Sequence, residues 1–185
     1  MKKLPEINCD LGEGMPNENE IFQFIDTASI ACGGHFGDEN TINESLELAL
    51  KYKKKVGAHP SYPDQKHFGR KTMKISEKEL KKSILIQILK FEQLAEKSGT
   101  PMDHIKFHGA LYNEAAADPE MADTLTDFIA NHFHNTPIFA PPHSQLEKYL
   151  KQKNLHQRVE VFGDRRYLVN LNGMPKFQII FYNSN

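Results

Sequence analysis

No stretch of this 185-residue chain stays apolar long enough to cross a bilayer, which excludes a helical membrane span. The opening Met1-Lys2-Lys3-Leu4-Pro5 runs into no apolar signal core, so a cytoplasmic location is the default expectation. Net charge is lacking too. With 23 Lys and Arg against 24 Asp and Glu, the formal charge is -1, and no overall field favours nucleic acid or an anionic membrane. The lysine runs at 51–55 and 78–82 read as solvated helix faces rather than a phosphate track.

Cysteine is scarce. Cys9 and Cys32 fall inside apolar runs on neighbouring expected strands, where reduced core thiols are the plainer reading and a metal or redox role the weaker one. No repeat, linker or low-complexity tract divides the chain, which predicts a single domain over 1–185. Neither a Gly-x-x-x-x-Gly-Lys-Ser/Thr loop nor a Gly-x-Ser-x-Gly elbow occurs. Any ATP handled here is therefore not held by a P-loop.

What is present is a repeated ending. Hydrophobic residues at 39% and charged residues at 25% suit an ordinary globular chain with a real core. Five apolar runs close on histidine, aspartate or both: Ile7 to Asp10, Ile30 to His35, Val56 to His59, Ile105 to His108, and Val161 to Asp164. A sixth, Pro137 to Ala140, reaches His143 after two prolines. If each run is a parallel strand, these polar groups emerge at one rim, where barrel and open α/β enzymes keep their active sites.

Helix signals fall between the strand signals. Strands are expected at 6–10, 27–32, 55–59, 104–108, 136–140 and 158–162. A short helix follows the first, around Glu18 to Ile25. Asp38 or Asn40 caps a second, with Ile42, Leu46, Ala49 and Leu50 on its buried face. Ser76 and Glu79 form a capping box, and Gly99 and Pro101 mark that helix's end. Asp118-Pro119 opens another, with Met121, Ala122, Leu125, Phe128 and Ile129 inward, and Ser144 with Glu147 opens the last. This alternation predicts an α/β fold, a (β/α) barrel or a strongly curved open relative. A doubly wound flat sheet is the alternative. It concentrates polar groups at one switch point, whereas here they follow nearly every strand.

Several of these groups suggest chemistry. Asn8 and Asp10 share a strand face, and Glu13 follows in the turn, so two carboxylates meet near a strand end and suit metal binding or general-base work. Lys106 and His108 share a face of the expected fourth strand. A lysine pointing into a barrel needs a partner, and Asp10 or Glu13 could supply it. Such a lysine beside a histidine can bind an oxyanion while the histidine moves a proton. Glycines around His35 let the backbone approach a ligand, and Pro60 stiffens the loop after His59. Asp10, His35 and His59 make a chemically reasonable divalent-metal set. Arg70, in the loop 63–71, could clamp a carboxylate if that loop is a lid. His67, His104, His132, His134 and His156 read as surface residues.

Taken together, Asn8-Cys9-Asp10-Leu11-Gly12-Glu13, Ala31-Cys32-Gly33-Gly34-His35, Gly57-Ala58-His59-Pro60-Ser61-Tyr62-Pro63-Asp64, Phe68-Gly69-Arg70 and Lys106-Phe107-His108-Gly109-Ala110-Leu111-Tyr112-Asn113 resemble the LamB/YcsF family. Its characterised members are the A component of bacterial 5-oxoprolinase. The resemblance implies a barrel like the seven-stranded one of glycoside hydrolases and deacetylases, shortened at the C-terminal end, with 168–185 an atypical tail. Phe177 to Tyr182 is a candidate substitute strand. It also implies ATP-dependent opening of the 5-oxoproline lactam to glutamate with separate B and C components. On that reading Asp10, Glu13, Lys106 and His108 are catalytic, and His35, His59, Arg70, Tyr112 and Asn113 bind substrate. An unclosed barrel exposes an edge strand, which favours a homo-oligomer. A stand-alone metal-dependent amidohydrolase or deacetylase, and a non-catalytic scaffold, are the competing readings.

Overall fold

The computed structural model describes residues 5–163, 168–169 and 175–176. Asp164 and the candidate strand Phe177 to Tyr182 lie outside the described residues. Six strands, β1 (Asn8–Leu11), β2 (Thr27–Ala31), β3 (Lys55–His59), β4 (Met102–Ile105), β5 (Ile138–Ala140) and β6 (Gln157–Val159), pair in parallel in chain order. A doubly wound sheet reverses direction at a switch point, and this one does not. The result is a curled half-barrel. A separate antiparallel pair joins β7 (Leu168–Val169) to β8 (Pro175–Lys176).

Helices α1 (Glu18–Ile21), α2 (Glu39–Tyr52), α3 (Glu77–Ser98), α4 (Gly109–Ala117), α5 (Pro119–His132) and α6 (Gln145–Gln152) fill the crossovers. Their limits follow local chemistry. Asp38 accepts from the amides of Asn40 and Thr41 at the start of α2, and Ser76 and Glu79 close a reciprocal box on α3. Asp118 caps α5 ahead of Pro119, and Ser144 caps α6. Gly99 ends α3 at φ 79, the left-handed conformation that suits glycine. Ser45 takes the buried place expected of Leu50, which is exposed.

The pleat separates two linings. Ala28, Ile30, Val56, Ala58, Ile105 and Ile138 belong to the buried apolar core, which also holds Ile42 and Leu46 of α2 and Ile84, Ile88 and Phe91 of α3. The other face carries polar groups linked in a hydrogen-bonded chain, although Asn8 Nδ2 is buried without a partner. Asn8 Oδ1 accepts from Thr27 Oγ1 at 2.9 Å and lies 3.1 Å from Ser29 Oγ. Ser29 Oγ in turn stands 3.0 Å from His104 Nε2. His104 Nδ1 faces Asp103, which Arg158 grips with both guanidinium nitrogens. His104 is thus fully buried rather than on the surface, because strand alternation turns it inward over Gly57. A Cβ at Gly57 would stand 2.3 Å from the imidazole.

The end of the fourth strand differs from expectation in a way that matters for the site. β4 ends at Ile105, so Lys106 and His108 lie beyond it. The backbone still follows β3, with Lys106 N donating to Ala58 O at 3.0 Å and His108 N to Pro60 O at 2.9 Å. His108 then occupies the N-cap position of α4, a helix the sequence reading did not resolve. The joint between β4 and β5 is thin: only Ile105 and Ile138 pair across it.

Candidate active site at the carboxyl rim

The ends of β1, β2, β3, β4 and β6 deliver the site. Asp10 comes from β1, and Glu13 from the turn after it. That turn is pinned by Glu18, whose carboxylate accepts from Gly12 N and Glu13 N, both at 3.0 Å. Gly12 takes φ 70, and a Cβ there would press to 2.8 Å from Ile30 Cγ2, so this turn requires glycine.

His35 follows β2. Its Nδ1 lies 3.1 Å from Ser61 Oγ and its Nε2 3.0 Å from Glu13 Oε1. Ser61 is itself clamped by Gln87, which accepts from its amide at 3.0 Å and donates to its carbonyl at 2.9 Å. Gly34 makes room for this clamp, since a Cβ there would fall 2.3 Å from Ser61 Oγ. His59 ends β3 and directs Nδ1 to the Lys106 carbonyl at 2.7 Å. His108 directs Nε2 to the Phe68 carbonyl at 3.0 Å and Nδ1 to His59 Nε2 at 3.0 Å. The rings of His35 and His108 stack with centroids 3.6 Å apart. Glu13, His35, His59 and His108 present ligand atoms that all lie within 4.8 Å of one another, a group able to hold a divalent ion.

Beside this group Lys106 is buried between two carboxylates, Asp10 Oδ1 at 2.9 Å and Glu160 Oε2 at 3.1 Å, with the Phe162 ring 5.0 Å away. Tyr112 OH donates to the other Glu160 oxygen at 2.8 Å. Asp10 is thereby the partner of Lys106, and its Oδ2 reaches only 3.4 Å from His59 Nε2.

Environment separates the titrating groups. Burial alone would push the Asp10 carboxyl up, but the adjoining His59 and Lys106 more than offset it and hold Asp10 well below the usual carboxylate range. Burial pushes Glu13 up. Burial alone would lower Lys106, but Asp10 and Glu160 raise it. Burial, reinforced by the adjoining histidine rings, takes both His35 and His108 down to about 3. Away from the rim, burial pushes the Cys32 thiol up to about 12, in keeping with an inert core thiol.

Most of the expected residues therefore converge. Asp10, Glu13, His35, His59, Lys106, His108 and Tyr112 form one continuous network. Arg70 stays exposed, its guanidinium 5.1 Å from the Phe68 ring centroid, yet its charge reaches Glu13. Among the described residues, Asn113 stands half-buried on α4 outside this network. The loop with Phe68 and Gly69 is docked rather than free, since Gly69 O accepts from Ala110 N at 2.9 Å and a Cβ on Gly109 would meet that same oxygen at 2.6 Å. Glu160, Glu18, Ser61 and Gln87 escaped the sequence reading. Their partners lie far along the chain or, for Glu18, across a turn, and of the four only Ser61 stands in one of the quoted motifs, where nothing local marks it as the partner of His35.

A sequential parallel (β/α) sheet gathers carboxylates, histidines and a buried lysine at the carboxyl rim of a half-barrel, the rim where barrel enzymes keep their sites. The sequence model of the LamB/YcsF family matches residues 5–176, and the chain belongs to that family. The A component of 5-oxoprolinase from Histophilus somni (strain 129Pt) is 34% identical over 176 residues, covering 95% of this chain and 71% of that protein. The crystal structure of a lactam utilization protein from Thermus thermophilus superposes with a TM-score of 0.86 at 32% identity, covering 93% of this chain and 71% of that one. No helix among the described residues is long and apolar enough to cross a membrane.

Proposed function

We propose that the chain acts as the A component of an ATP-dependent 5-oxoprolinase, opening the lactam of 5-oxo-L-proline to L-glutamate together with separate B and C components. Family membership and the name of the 34%-identical relative support the substrate. The observation that carries the chemistry is Lys106 locked between Asp10 and Glu160 beside Glu13 and three histidines.

An amide carbonyl is a poor electrophile, and its nitrogen a poor leaving group. Phosphorylation of the amide oxygen by ATP makes attack by water feasible, and ring opening then needs a proton delivered to the nitrogen. Glu13 lies 3.4 Å from His108, and Asp10 is linked to His108 through His59, a chain able to move those protons. Lys106 is already neutralised by two carboxylates, so it favours orienting Asp10 over capturing phosphate. Arg70 at the rim is better suited to a substrate carboxylate or a phosphate. His35, His59 and Tyr112 wall the site, and Asn113 borders it. A second reading, a metal-dependent amidohydrolase that needs neither ATP nor partners, is favoured by the Glu13, His35, His59 and His108 group alone.

The test is glutamate release from 5-oxoproline and ATP by this chain mixed with B and C components of a related system. Activity is expected, and Asp10→Ala should reduce it at least a hundredfold with the fold intact. Silence beside an active full-length relative would overturn the assignment. Turnover without ATP or partners would establish the second reading.

A further inference from the structure

We infer that Glu13, His35, His59 and His108 form a binding site for one divalent transition-metal ion of the zinc class, with Asp10 outside its ligand set. The reason lies in where the ring protons must be. The Lys106 carbonyl can only accept, so His59 donates Nδ1–H to it. The Phe68 carbonyl likewise receives Nε2–H from His108. Ser61 Oγ donates its own proton to the Tyr62 carbonyl at 2.8 Å, so it accepts Nδ1–H from His35. Each imidazole thus has its outward nitrogen tied to an acceptor, the arrangement that fixes tautomer and ring direction in metal-ligating histidines.

Three bare nitrogens are left pointing inward: His35 Nε2, His59 Nε2 and His108 Nδ1. They meet a carboxylate oxygen of Glu13. The close approaches are 3.0 Å for His59 to His108, 3.0 Å for His35 to Glu13 and 3.4 Å for His108 to Glu13. Ligands about 2.0–2.1 Å from a tetrahedral zinc stand about 3.3 Å from one another. These close spacings bracket that edge, and since all four atoms lie within 4.8 Å of one another, the wider pairs close by up to about 1.5 Å around an ion. A proton can bridge one close pair at a time, whereas a single divalent ion satisfies four acceptors at once. Three imidazoles and one carboxylate suit zinc, cobalt, iron or manganese rather than calcium or magnesium.

Asp10 stands outside the group whose ligand atoms all lie within 4.8 Å of one another. Its Oδ1 is engaged by Lys106 at 2.9 Å, and that ammonium competes with an ion for the carboxylate, while its Oδ2 lies 3.4 Å from His59 Nε2. With the ion bound, Glu13 and His108 would serve as ligands, and proton transfer would fall to Asp10. The ion does not depend on the substrate being a lactam, so failure of one assignment leaves the other standing.

The experiment uses the full chain, stripped with a chelator and titrated with Co2+, read by visible absorption and by metal content after gel filtration. One ion per chain with ligand-field bands displaced by Zn2+ is expected. Glu13→Gln, which preserves shape at a mostly buried position, and His108→Ala should each weaken binding at least tenfold. Ser61→Ala, which frees the His35 ring, should weaken it about tenfold. The exposed pair His132→Ala and His134→Ala should leave it unchanged. A folded wild-type chain that takes up no ion, or uptake that Glu13→Gln and His108→Ala both leave intact, would overturn the site. Loss with the His132 and His134 changes alone would reassign the binding to the surface.

Discussion

At the scale of single residues, Lys106 is the most exacting position. Its ammonium is buried and shared by Asp10 and Glu160. Lys106→Met keeps the stem but leaves two carboxylates facing each other without a cation. Breaking a buried pair in this way costs about 3–5 kcal/mol. A loss near the low end, about 3 kcal/mol in chemical denaturation, is expected because Asp10 keeps some solvent contact. Glu160→Gln should cost less, since Asp10 still answers the charge. The residues carrying most of the site were legible because each ends an apolar run. Glu160 was not, because its role exists only when β6 has curled round to meet Lys106. His104 was misread for a related reason: a histidine flanked by Asp103 and Ile105 looks superficial until the pleat turns it over Gly57.

At the scale of elements, the boundaries set by local chemistry were readable and those set by tertiary pairing were not. Caps at Asp38, Ser76, Asp118 and Ser144 announce four helices. α4 was missed because its first five residues, Gly109 to Asn113, lie inside a motif and no side chain caps its start. The pair Asp103 and Arg158 joins β4 to β6 across the intervening strand. Burial alone would raise the Asp103 carboxyl, but hydrogen bonds from His104 and Arg158 bring it below its ordinary 3.8. The folded chain therefore binds this proton less tightly than the unfolded one. The stabilisation is complete above about pH 4 and is lost as pH falls through the lowered value. Arg158→Met should weaken the fold at neutral pH and flatten the decline in stability below about pH 4. A decline as steep as that of the wild type would show that Asp103 draws nothing from Arg158.

At the scale of the whole molecule, the thin joint between β4 and β5 divides the sheet. β2 and β3 pair over five positions, whereas β4 and β5 pair over one. Regions with few backbone ties open before the rest. β5, β6 and α6 should therefore detach as one cooperative unit at lower free energy than β1 to β4. Native-state amide exchange checks this directly: Phe139 and Ala140 should lose protection well before Ala28, Ile30 and Ala58, and equal protection across the sheet would contradict it. The site straddles the same joint, with Glu160 beyond it and Asp10, Lys106 and the histidines before it. Each such opening would pull Glu160 and Tyr112 apart and release Lys106 to Asp10 alone, so the ammonium's charge balance would breathe with the sheet.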